Sequence, residues 1–538
     1  MRYLVLLVCV LMLFPLATAR DLYVDNSCAT GGTGLTTTCG ADGPFNDLQD
    51  AFDALQAGDT LYIMQGTGQY VTTNTGTSPR FNGGFSLQGK QGTPENPIRI
   101  TYYPGHNPLL VSCGVNNHEV YCPHPTITAS RASHIIFDGI RVQGGLSLAN
   151  SMAAVHNHRD LSVINSDISV GWAPYHPDID TADGNWATLF LQGFTTAYVA
   201  NNTLHSLNVP PDGGDQSSTT YVMMFGIRDV TIEYNDMHPT QTELGPGGPF
   251  DKGSVDGLTI RRNHIRGVRT GYRMGGQDYQ EIDTRMQNTL YTENLIDCDS
   301  SPVLNSAIEF GNRGTNRSAT HNTGIGCRVG VAVGSHGHEN YDRALYNNLF
   351  VDVGLKNTVW YNDDALGPRE GQDIWDFNVY TPGGQFRIHN SQNQRIATTF
   401  EEYQELGYEP NSQVLDCDVG SDGRFPPSSP CQTAGRVGGV SSGAVVPVGA
   451  FAFTDCLGRG CPDADWSRPE LFLLSDVPPT RPGDFNNDGH VGLYDLLFVV
   501  NRLGTSQGDS LFDARADMND DGVIDLFDLV LVARLVGT

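Results

Sequence analysis

The chain has 538 residues, with 60 acidic against 32 basic side chains and a formal net charge of −28. This excess of negative charge argues against nucleic acid or an anionic membrane surface as a partner. Charged residues are only 17% of the chain, against roughly 25% in an ordinary domain. Together with 62 glycines, this composition is typical of a turn-rich, exported all-β protein.

The first nineteen residues have the pattern of a secretory signal. Arg2 is followed by an apolar run over residues 4–16, and residues 17–19 read Ala-Thr-Ala. A basic start, a short apolar segment and small residues before a cleavage point are typical of a signal peptide. The apolar run is too short to span a bilayer, and no second run resembles it. We therefore expect cleavage after Ala19, secretion, and no membrane span.

The mature chain would keep ten cysteines, because Cys9 lies in the signal. An even number in an exported protein favours disulfide bonds. Pairing of sequence neighbours is the simplest connectivity, although the sequence alone leaves other pairings open. The ten positions are Cys28, Cys39, Cys113, Cys122, Cys298, Cys327, Cys417, Cys431, Cys456 and Cys461.

A helix followed by a strand is predicted near the start of the mature chain. Between Pro44 and Leu55, the apolar side chains recur at helical spacing, and Gly58 follows as a helix stop. Residues 59–63 then alternate as a strand. The open end of a long sheet would pair with other chains unless something covers it. We expect this helix to be that cover.

A short phrase recurs through the middle of the chain: apolar residue, spacer pair, asparagine, apolar residue. Successive copies lie 26 to 37 residues apart, a period that indicates stacked structural units. In each copy two short strands flank a tight turn, and a loop of variable length follows, which predicts a right-handed parallel β-helix. The asparagines would stack as a ladder at the turns. They are Asn165, Asn202, Asn235, Asn263, Asn294, Asn322, Asn348 and Asn378.

Two cysteines test this repeat. Cys298 lies four residues after Asn294, and Cys327 lies five after Asn322. Adjacent coils are about 4.8 Å apart, and a disulfide needs its Cα atoms about 4.4–6.8 Å apart. The spacing therefore predicts a bridge between Cys298 and Cys327 that joins two coils.

A basic segment interrupts this acidic chain. Five arginines and no acid lie between residues 261 and 273, and Lys252 precedes them. Such a segment would attract an anionic polymer, and the planar guanidinium suits a uronate carboxylate or a sulfate. We predict an anionic polysaccharide as the ligand. The arginines are Arg261, Arg262, Arg266, Arg269 and Arg273.

Other interpretations of these and neighbouring residues stay open. The arginines could cover coil edges, and Lys252 could be an ordinary surface charge. Two H-x-H pairs could bind a metal, and three acids could serve a glycoside hydrolase as paired carboxylates. These residues are His156, His158, His336 and His338, and Glu309, Asp363 and Asp364.

The last 55 residues contain one acidic loop pattern twice, 33 residues apart. Each copy places oxygen side chains at loop positions 1, 3, 5 and 12, with glycine at position 6, as calcium coordination requires. We expect two structural calcium ions. The predicted ligands are Asp484, Asn486, Asp488, His490 and Asp495 in the first loop, and Asp517, Asn519, Asp521, Val523, Asp525 and Asp528 in the second. His490 and Val523 would contribute backbone carbonyls.

Prolines before the first loop exclude an entering helix, so only the exit helices 493–503 and 526–536 are expected. A duplicated calcium loop with exit helices alone resembles the type I dockerin repeat. That resemblance implies a secreted carbohydrate-active protein and a cohesin or cell-surface partner. This chain departs from the family at loop positions 10 and 11, where Leu493-Tyr494 and Leu526-Phe527 replace small hydroxyl residues.

The body of the chain resembles secreted parallel β-helix proteins, including polysaccharide lyases. The phrases at residues 44–70 and 96–105 carry this resemblance. Lys252-Gly253-Ser254 and Arg273-Met274-Gly275 resemble the phrases that hold the catalytic lysine and arginine of alginate lyase and chondroitinase B. The resemblance implies β-elimination, with Lys252 as base and Arg273 assisting. The acidic calcium ligands that those lyases place before the lysine are not matched here.

The predicted fold class is all-β: a right-handed, single-stranded parallel β-helix with an N-terminal helical cap, plus a small α-helical, calcium-binding, dockerin-like domain. The predicted boundaries are 1–19 for the signal, 20–453 for the β-helix, 454–482 for a linker and 483–538 for the dockerin-like module. The predicted function is β-elimination of an acidic polysaccharide. A non-catalytic glycan-binding or adhesive protein and a glycoside hydrolase are the alternatives.

Overall fold

The computed structural model of the chain divides into two compact units, Met1–Arg468 and Pro469–Thr538. The structure describes residues 19–72, 84–112, 114–116, 119–121, 125–149, 158–170, 186–206, 219–239, 247–251, 255–268, 270–274, 287–298, 306–311, 315–333, 343–352, 355–360, 374–383, 385–389, 399–405, 407–420, 425–426, 428–436, 445–449, 499, 502–506, 516–519 and 521–535. The predicted signal, apart from its last residue, and the predicted linker lie outside these residues.

The first unit is built from three long parallel sheets, A, B and C, through which the chain passes in turn. Sheet A contains β1 Asp21–Val24, β2 Thr60–Ile63, β5 Ile98–Tyr102, β10 Ile135–Asp138, β13 His158–Ile164, β16 Phe194–Ala200, β19 Ile227–Glu233, β22 Val255–Arg261, β25 Gln287–Thr292, β28 Thr315–Thr320, β31 Arg343–Tyr346 and β34 Ile374–Asp376. Sheet B contains β3 Gln69–Val71, β6 Leu109–Val111, β11 Arg141–Gln143, β14 Asp167–Val170, β17 Thr203–Ser206, β20 Asp236–Pro239, β23 His264–Arg266, β26 Leu295–Asp297, β29 Thr323–Ile325, β32 Leu349–Val351, β35 Val379–Tyr380 and β37 Gln413–Val414. Sheet C contains β4 Phe85–Ser86, β9 Ile127–Ala129, β12 Leu146–Ala149, β15 Trp186–Gln192, β18 Thr219–Phe225, β21 Phe250–Asp251, β24 Thr270–Met274, β27 Ser306–Phe310, β30 Val329–Val333, β33 Leu355–Trp360 and β36 Gln385–His389.

The remaining elements are short. Three antiparallel pairs are β7 Gly114–Asn116 with β8 Glu119–Tyr121, β38 Gly435–Arg436 with β39 Val445–Val446, and β40 Thr505–Ser506 with β41 Val523–Ile524. The helices of the described residues are α1 Leu48–Ala54, α2 Phe400–Glu405, a 3₁₀ turn Pro430–Thr433 and α3 Leu526–Ala533. The predicted β-helix is therefore confirmed, with three strands per coil where the repeat phrase predicted two.

The interior of the coil is a continuous apolar core. Successive side chains of a strand point to opposite faces, so each strand contributes every second residue to this core. In β13, for example, Leu161 and Val163 are buried among the core residues, whereas Ser162 between them faces outward. Each inward residue stacks on its register partner in the next coil, so the apolar columns continue along the coils.

The predicted asparagine ladder is present at the corner between sheets A and B. The Oδ1 of Asn263 accepts hydrogen bonds from the backbone N–H and the side-chain amide of Asn235, at 3.0 and 2.9 Å. The same pattern repeats from Asn202 to Asn378. The residue just before each ladder asparagine has a positive φ, as at Arg262, where φ is 55°. Each corner therefore consists of one left-handed residue and one ladder residue.

One member of the predicted ladder is wrong. Asn165 has a φ of 55° and occupies the left-handed position of its corner. Its coil places Ser166 at the ladder position, where the serine backbone N–H donates to Asn202 Oδ1 at 2.9 Å. The phrase was misaligned by one residue because asparagine suits both positions: it tolerates the left-handed region and it bonds backbone groups.

Both ends of the coil carry a cover. At the start, α1 buries Leu48, Ala51 and Phe52, and the Asp47 side chain accepts from the N–H groups of Gln49 and Asp50 as an N-cap. This confirms the predicted cap helix. At the other end, the ladder stops at Asn378, whose amide donates to the buried Glu409 carboxylate at 3.1 Å.

Residues after the last coil fold back over the late part of sheet B. Cys417, Cys431, Ala434 and Val448 pack as one buried cluster against outward-facing apolar side chains of that sheet. Those sheet B residues are Leu295, Ile325, Leu349, Val351 and Val379. The outer face of sheet B is therefore covered in its last coils by the chain itself.

Disulfides join Cys28 to Cys39, Cys298 to Cys327 and Cys417 to Cys431. The Cα atoms of Cys298 and Cys327 are 4.8 Å apart, so the predicted bridge between adjacent coils is confirmed. All three bridges pair sequence neighbours, as the simplest connectivity predicted. Cys113, Cys122, Cys456 and Cys461 lie outside the described residues.

In the second unit, α3 follows the second acidic loop. Val499, Ala516, Ile524 and Val532 form a small buried cluster there. Asp525 caps α3, and its side chain and that of Asp528 form a reciprocal capping box. The first loop lies outside the described residues. No helix in the described part of the chain is both long and apolar enough to cross a membrane.

Candidate functional site

The three corners of the coil differ in length. From β10 to β34, every connection from sheet A to sheet B is two residues long. The connections that enter and leave sheet C are mostly longer: residues 171–185 lead into β15, and residues 275–286 leave β24. Loops positioned by a rigid scaffold are where binding and catalytic residues concentrate. Sheet C is therefore the face of the coil that long connections border on both sides.

One register column runs along the outer face of sheet C. Its backbone pairing is continuous from coil to coil, since each residue is the Cα partner of the next. The column reads Ser147, Phe190, Met223, Phe250, Arg273, Glu309, Ala332, Thr358 and Arg387. In its middle coils it places three apolar residues, Phe190, Met223 and Phe250, directly before the charged pair Arg273 and Glu309.

The apolar part of this column forms its own cluster, separate from the interior core. Phe190, Met223, Phe225 and Phe250 pack together, and each is at least nine-tenths buried. The rings of Phe190 and Phe225 lie 5.6 Å apart. Aromatic side chains bury a large area, so this cluster is a rigid apolar support under the residues that follow it in the column.

Arg273 lies where the aromatic cluster ends. Its guanidinium carbon lies 5.0 Å from the centroid of the Phe250 ring, a cation–π contact. Its Nε lies 3.1 Å from Glu309 Oε1 in the next coil, and the two side chains are 38% and 26% exposed. A partly exposed guanidinium held on an aromatic ring is a ready partner for a planar carboxylate.

The predicted base, Lys252, lies outside the described residues. Its predecessor Asp251 ends β21 and is the register partner of Met274, the residue after Arg273. Asp251 is itself fully buried, and its Oδ2 accepts from the Tyr272 hydroxyl at 3.1 Å. The chain therefore leaves sheet C toward Lys252 beside the strand end that carries Arg273.

The structure places the other described arginines on different faces. Arg261 ends a strand of sheet A and pairs with the buried Glu233. Arg262 occupies the corner between sheets A and B and pairs with Glu293. The interval 261–273 lacks acids in sequence, but adjacent coils supply them.

Arg266 lies on sheet B, where it bonds both oxygens of Asp236 at 2.8 and 2.6 Å. Arg269 lies outside the described residues. Arg261, Arg262 and Arg266 therefore do not line the sheet C face with Arg273, because 13 consecutive residues pass through all three sheets of one coil.

The sequence pattern does not predict that these sheet C residues are register partners in successive coils. Phe250 lies 15 residues after the ladder residue Asn235, whereas Arg273 lies only 10 after Asn263. The connections from sheet B to sheet C vary in length, so constant spacing from the ladder is lost before sheet C begins. The sequence suggests Glu309 only as a hydrolase acid, because its pairing with Arg273 depends on the register between their coils.

Most of the other candidate residues lie outside the described part of the chain, namely His156, His336, His338, Asp363 and Asp364. His158 lies in β13. No group of three or more histidine, cysteine, aspartate or glutamate side chains within the described residues is arranged to hold a metal ion. The H-x-H pairs and the paired acids therefore remain sequence-level hypotheses.

The second acidic loop has the donor chemistry of a calcium loop. Gly522 has a φ of 82°, which allows the sharp turn at loop position 6. The Asp517 carboxylate accepts from the N–H groups of Asp521 and Gly522, and that of Asp528 accepts from Met518 and Asp525. These carboxylates thus bond backbone groups of their own loop, and the set of hard oxygen donors in that loop fits calcium. The first loop, from Asp484 to Asp495, lies outside the described residues.

Among solved structures, the chain is similar to pectate lyase Pel9A, at 13% identity and a TM-score of 0.45, over 81% of this chain and 96% of that one. It is similar to a rhamnogalacturonan lyase, at 12% identity and a TM-score of 0.38, over 76% of this chain and 96% of that one. It is also similar to an alginate lyase from Paenibacillus sp. str. FPU-7, at 10% identity and a TM-score of 0.35, over 68% and 97%.

These likenesses concern the fold, which the parallel pairing of the three sheets shows directly. No curated protein matches the chain. The dockerin type I domain family matches residues 482–537, the segment that holds both acidic loops. Residues 482–537 are therefore a dockerin type I domain joined to a parallel β-helix.

Proposed function

We propose that this protein is a secreted, carbohydrate-active enzyme that cleaves an acidic polysaccharide on the outer face of sheet C by β-elimination. The observation that carries the proposal is the position of Arg273. Its guanidinium lies on the Phe250 ring, partly exposed, on the face bordered by long connections, and beside the strand end that leads to Lys252. In this proposal the substrate lies along the sheet C column.

Each residue has one task in the proposed reaction. Arg273 binds the uronate carboxylate and neutralises the negative charge of that group, which makes the proton on the adjacent carbon more acidic. Neutral Lys252 removes that proton, the bond between the neighbouring carbon and the glycosidic oxygen breaks, and a carbon–carbon double bond forms. The leaving oxygen takes up a proton. A lysine base requires a pKa lowered toward the working pH, and a neighbouring guanidinium lowers it because like charge disfavours the ammonium form.

Glu309 supports the same arrangement. While no substrate is bound, it holds the Arg273 guanidinium in place at 3.1 Å. A substrate carboxylate would compete for the same guanidinium, which the buried Phe250 ring supports from below. The ion pair with Glu309 therefore keeps the Arg273 guanidinium on the outer face of sheet C, where its charge stays partly exposed.

The test is incubation with pectate, alginate and chondroitin, followed by ultraviolet absorbance of the unsaturated product. We expect absorbance to rise with one of these polymers. Lys252→Ala should abolish the rise, and Arg273→Ala should reduce it by a factor of about 10² to 10⁴, the usual range for a positioned catalytic group.

Arg99→Ala is the matched control. Arg99 is also a partly exposed arginine paired with a carboxylate of the next coil, Asp138, but it lies on sheet A. Its loss should leave turnover unchanged. New reducing ends without absorbance would contradict β-elimination and favour a hydrolase that uses Glu309. Binding without any cleavage would leave a glycan-binding protein.

We infer separately that residues 482–537 bind two calcium ions and attach the enzyme to a cohesin-type partner. The domain match supports both. Phe527, at loop position 11, is 71% exposed, and Val530 lies one turn along the same helix. An exposed aromatic beside an apolar residue is suited to a protein contact. Phe527→Ser should weaken capture by a cohesin panel without changing calcium binding, and unchanged capture would exclude this surface.

A further inference from the structure

A second polar surface lies on the outer face of sheet B, away from the sheet C column. Ser169, His205 and His238 are register partners in consecutive coils, and Arg266 holds the same position in the coil after them. We call these four residues the sheet B row. Each of them lies three residues after the ladder position of its coil, so the constant two-residue corner keeps them in one line.

The row is held rigidly. The rings of His205 and His238 stack with centroids 5.8 Å apart and planes 14° apart. His205 Nε2 lies 2.6 Å from Asp167 Oδ1, and His238 Nε2 lies 3.6 Å from Asp236 Oδ2. The bidentate bonds from Arg266 fix the same Asp236 from the other side. Side chains held in place by packing and hydrogen bonds lose little conformational entropy when a ligand binds on them.

Three members of the row are partly exposed, whereas Ser169 is buried. His205, His238 and Arg266 side chains are 18%, 28% and 39% exposed. Two coils further along, the same register position is occupied by Ile325 and then Val351, which the folded-back C-terminal residues bury. The chain therefore places apolar side chains where it covers this face itself, and imidazole and guanidinium groups on the preceding coils.

The chemistry of the row suits a polysaccharide. The partly exposed imidazole and guanidinium groups follow one another at the coil spacing of about 4.8 Å, so an extended ligand would meet one of them per coil. The exposed parts of the stacked imidazole rings suit the apolar face of a sugar ring, because His205 Nε2 is already bonded to Asp167 and its Nδ1 is buried. Arg266 adds a donor for carboxylates. Asp167 and Asp236 pair with the two nearby arginines, Arg141 and Arg266, and Asp297 follows Arg266 in the register.

We propose that the sheet B row is a second binding site for the acidic polysaccharide that the enzyme cleaves on sheet C. This rests on the substrate class of the proposed function. The two sites lie on different faces of the coil. A polymer strand held on sheet B therefore keeps the enzyme on its substrate without occupying Arg273.

The test uses the full chain and two readouts for the double variant His205→Ala/His238→Ala. Retention is measured by affinity gel electrophoresis through the polymer that the wild type cleaves, or through pectate, alginate and chondroitin in turn. Turnover is measured on short oligosaccharides and on the long polymer. We expect retention to weaken about tenfold, polymer turnover at low concentration to fall in parallel, and oligosaccharide turnover to stay unchanged.

His106→Ala is the control, because His106 is also a partly exposed imidazole packed on a ring, Tyr103, at 5.0 Å. If the double variant unfolds below the wild-type melting temperature, His238→Gln alone is used, and its retention must still fall. Unchanged retention in a folded variant overturns the proposal.

The two proposals fail in different ways. If no polymer is cleaved but retention depends on His205 and His238, the cleavage proposal fails and the sheet B row stands. If the polymer is cleaved and retention ignores both histidines, the cleavage proposal stands and the row fails.

Discussion

At the scale of single residues, the corner between sheets A and B needs a side chain that can satisfy several buried backbone groups. The Asn263 side chain is fully buried, and its amide donates to the carbonyls of Ile232 and Arg261 at 3.0 and 2.9 Å. It also links Asn235 to Asn294. A buried polar group that loses its partner costs free energy, whereas a satisfied one contributes little net. The ladder asparagines therefore add little net stability while all their hydrogen bonds are made, but replacing one of them should destabilise the fold.

The first prediction concerns this residue. Asn263→Ala leaves two buried carbonyls and the Asn235 N–H without their partners, and we expect a loss of about 3 kcal/mol in the free energy of unfolding. Chemical denaturation monitored by circular dichroism measures it. Asn288→Gly is the control, because Asn288 is an exposed asparagine with a positive φ of 56° that glycine also adopts. Equal losses in both variants would contradict the ladder's role.

A second prediction concerns acid. Burial lowers the pKa of His321 to about 4, and burial together with Arg266 lowers the pKa of His264 to about 4. Both histidines are neutral in the folded state, and their folded pKa lies below the unfolded value of about 6.5. The unfolded chain therefore binds protons first as pH falls. We expect stability to be lost between about pH 6.5 and 4, by at most about 3 kcal/mol for each ring.

Thermal unfolding at several pH values measures this loss. His321→Asn should remove about half of it, since His321 occupies the left-handed corner position that Asn201 and Asn347 hold in other coils. If this variant loses as much stability between about pH 6.5 and 4 as the wild type, His321 does not cause the loss.

At the scale of elements, each end of the coil is closed by a different device. The start has a helix whose apolar face is visible as a periodic pattern. The other end has a buried carboxylate: Glu409 accepts from the hydroxyls of Tyr380 and Tyr403 at 3.0 and 3.3 Å and from the Asn378 amide. Burial raises the pKa of Glu409, which favours the protonated acid.

The third prediction separates charge from hydrogen bonding at this cap. Glu409→Gln keeps an acceptor and stays neutral, so we expect stability equal to or above wild type, with the largest gain at high pH. The sign follows because a raised acid pKa contributes stability that is lost as pH rises. Glu409→Ala should instead cost about 2–4 kcal/mol, because it leaves buried hydroxyls unpaired. Melting temperatures from about pH 4, near the unfolded pKa of a glutamate, up to about pH 9 compare the two variants, and a Gln variant as weak as Ala would contradict this account.

The same scale explains which elements were predictable. The cap helix, sheets A and B and the Cys298–Cys327 bridge follow from local periodicity and from a corner that is always two residues long. Sheet C was missed, because connections of variable length precede it. The Arg273–Glu309 pair and the Phe250 contact lie on that sheet, so the most specific part of the candidate site was also the least predictable.

At the scale of the whole molecule, the chain is two compact units with different sources of stability. The β-helix has a continuous apolar core along its coils, whereas the buried cluster around Val499 and Ile524 in the dockerin unit is small. A small core of this kind usually needs a metal or another cross-link. Bound calcium would offset the carboxylates that its loops bring together.

The fourth prediction follows. A calcium chelator should abolish the unfolding transition of the dockerin unit and leave that of the β-helix unchanged, because metal binding contributes directly to folding of such units. Differential scanning calorimetry with and without chelator measures both. Asp517→Ala should act like the chelator on its loop, and Asp509→Asn, between the two loops, should not. A chelator effect on the β-helix transition would contradict the separation.

The sequence by itself determined the repeat, the position of the corners, the cap helix and the dockerin loops, because each depends on residues close together in the chain. Only the tertiary structure decided which face carries which side chains. Thirteen residues containing five arginines pass through three sheets, so a cluster in sequence became charges on separate faces, each described one paired with an acid from another coil. Conversely, His205, His238 and Arg266 lie far apart in sequence and form one row. In a stacked coil, neighbours are set by register between coils, and the loops that set the register vary in length.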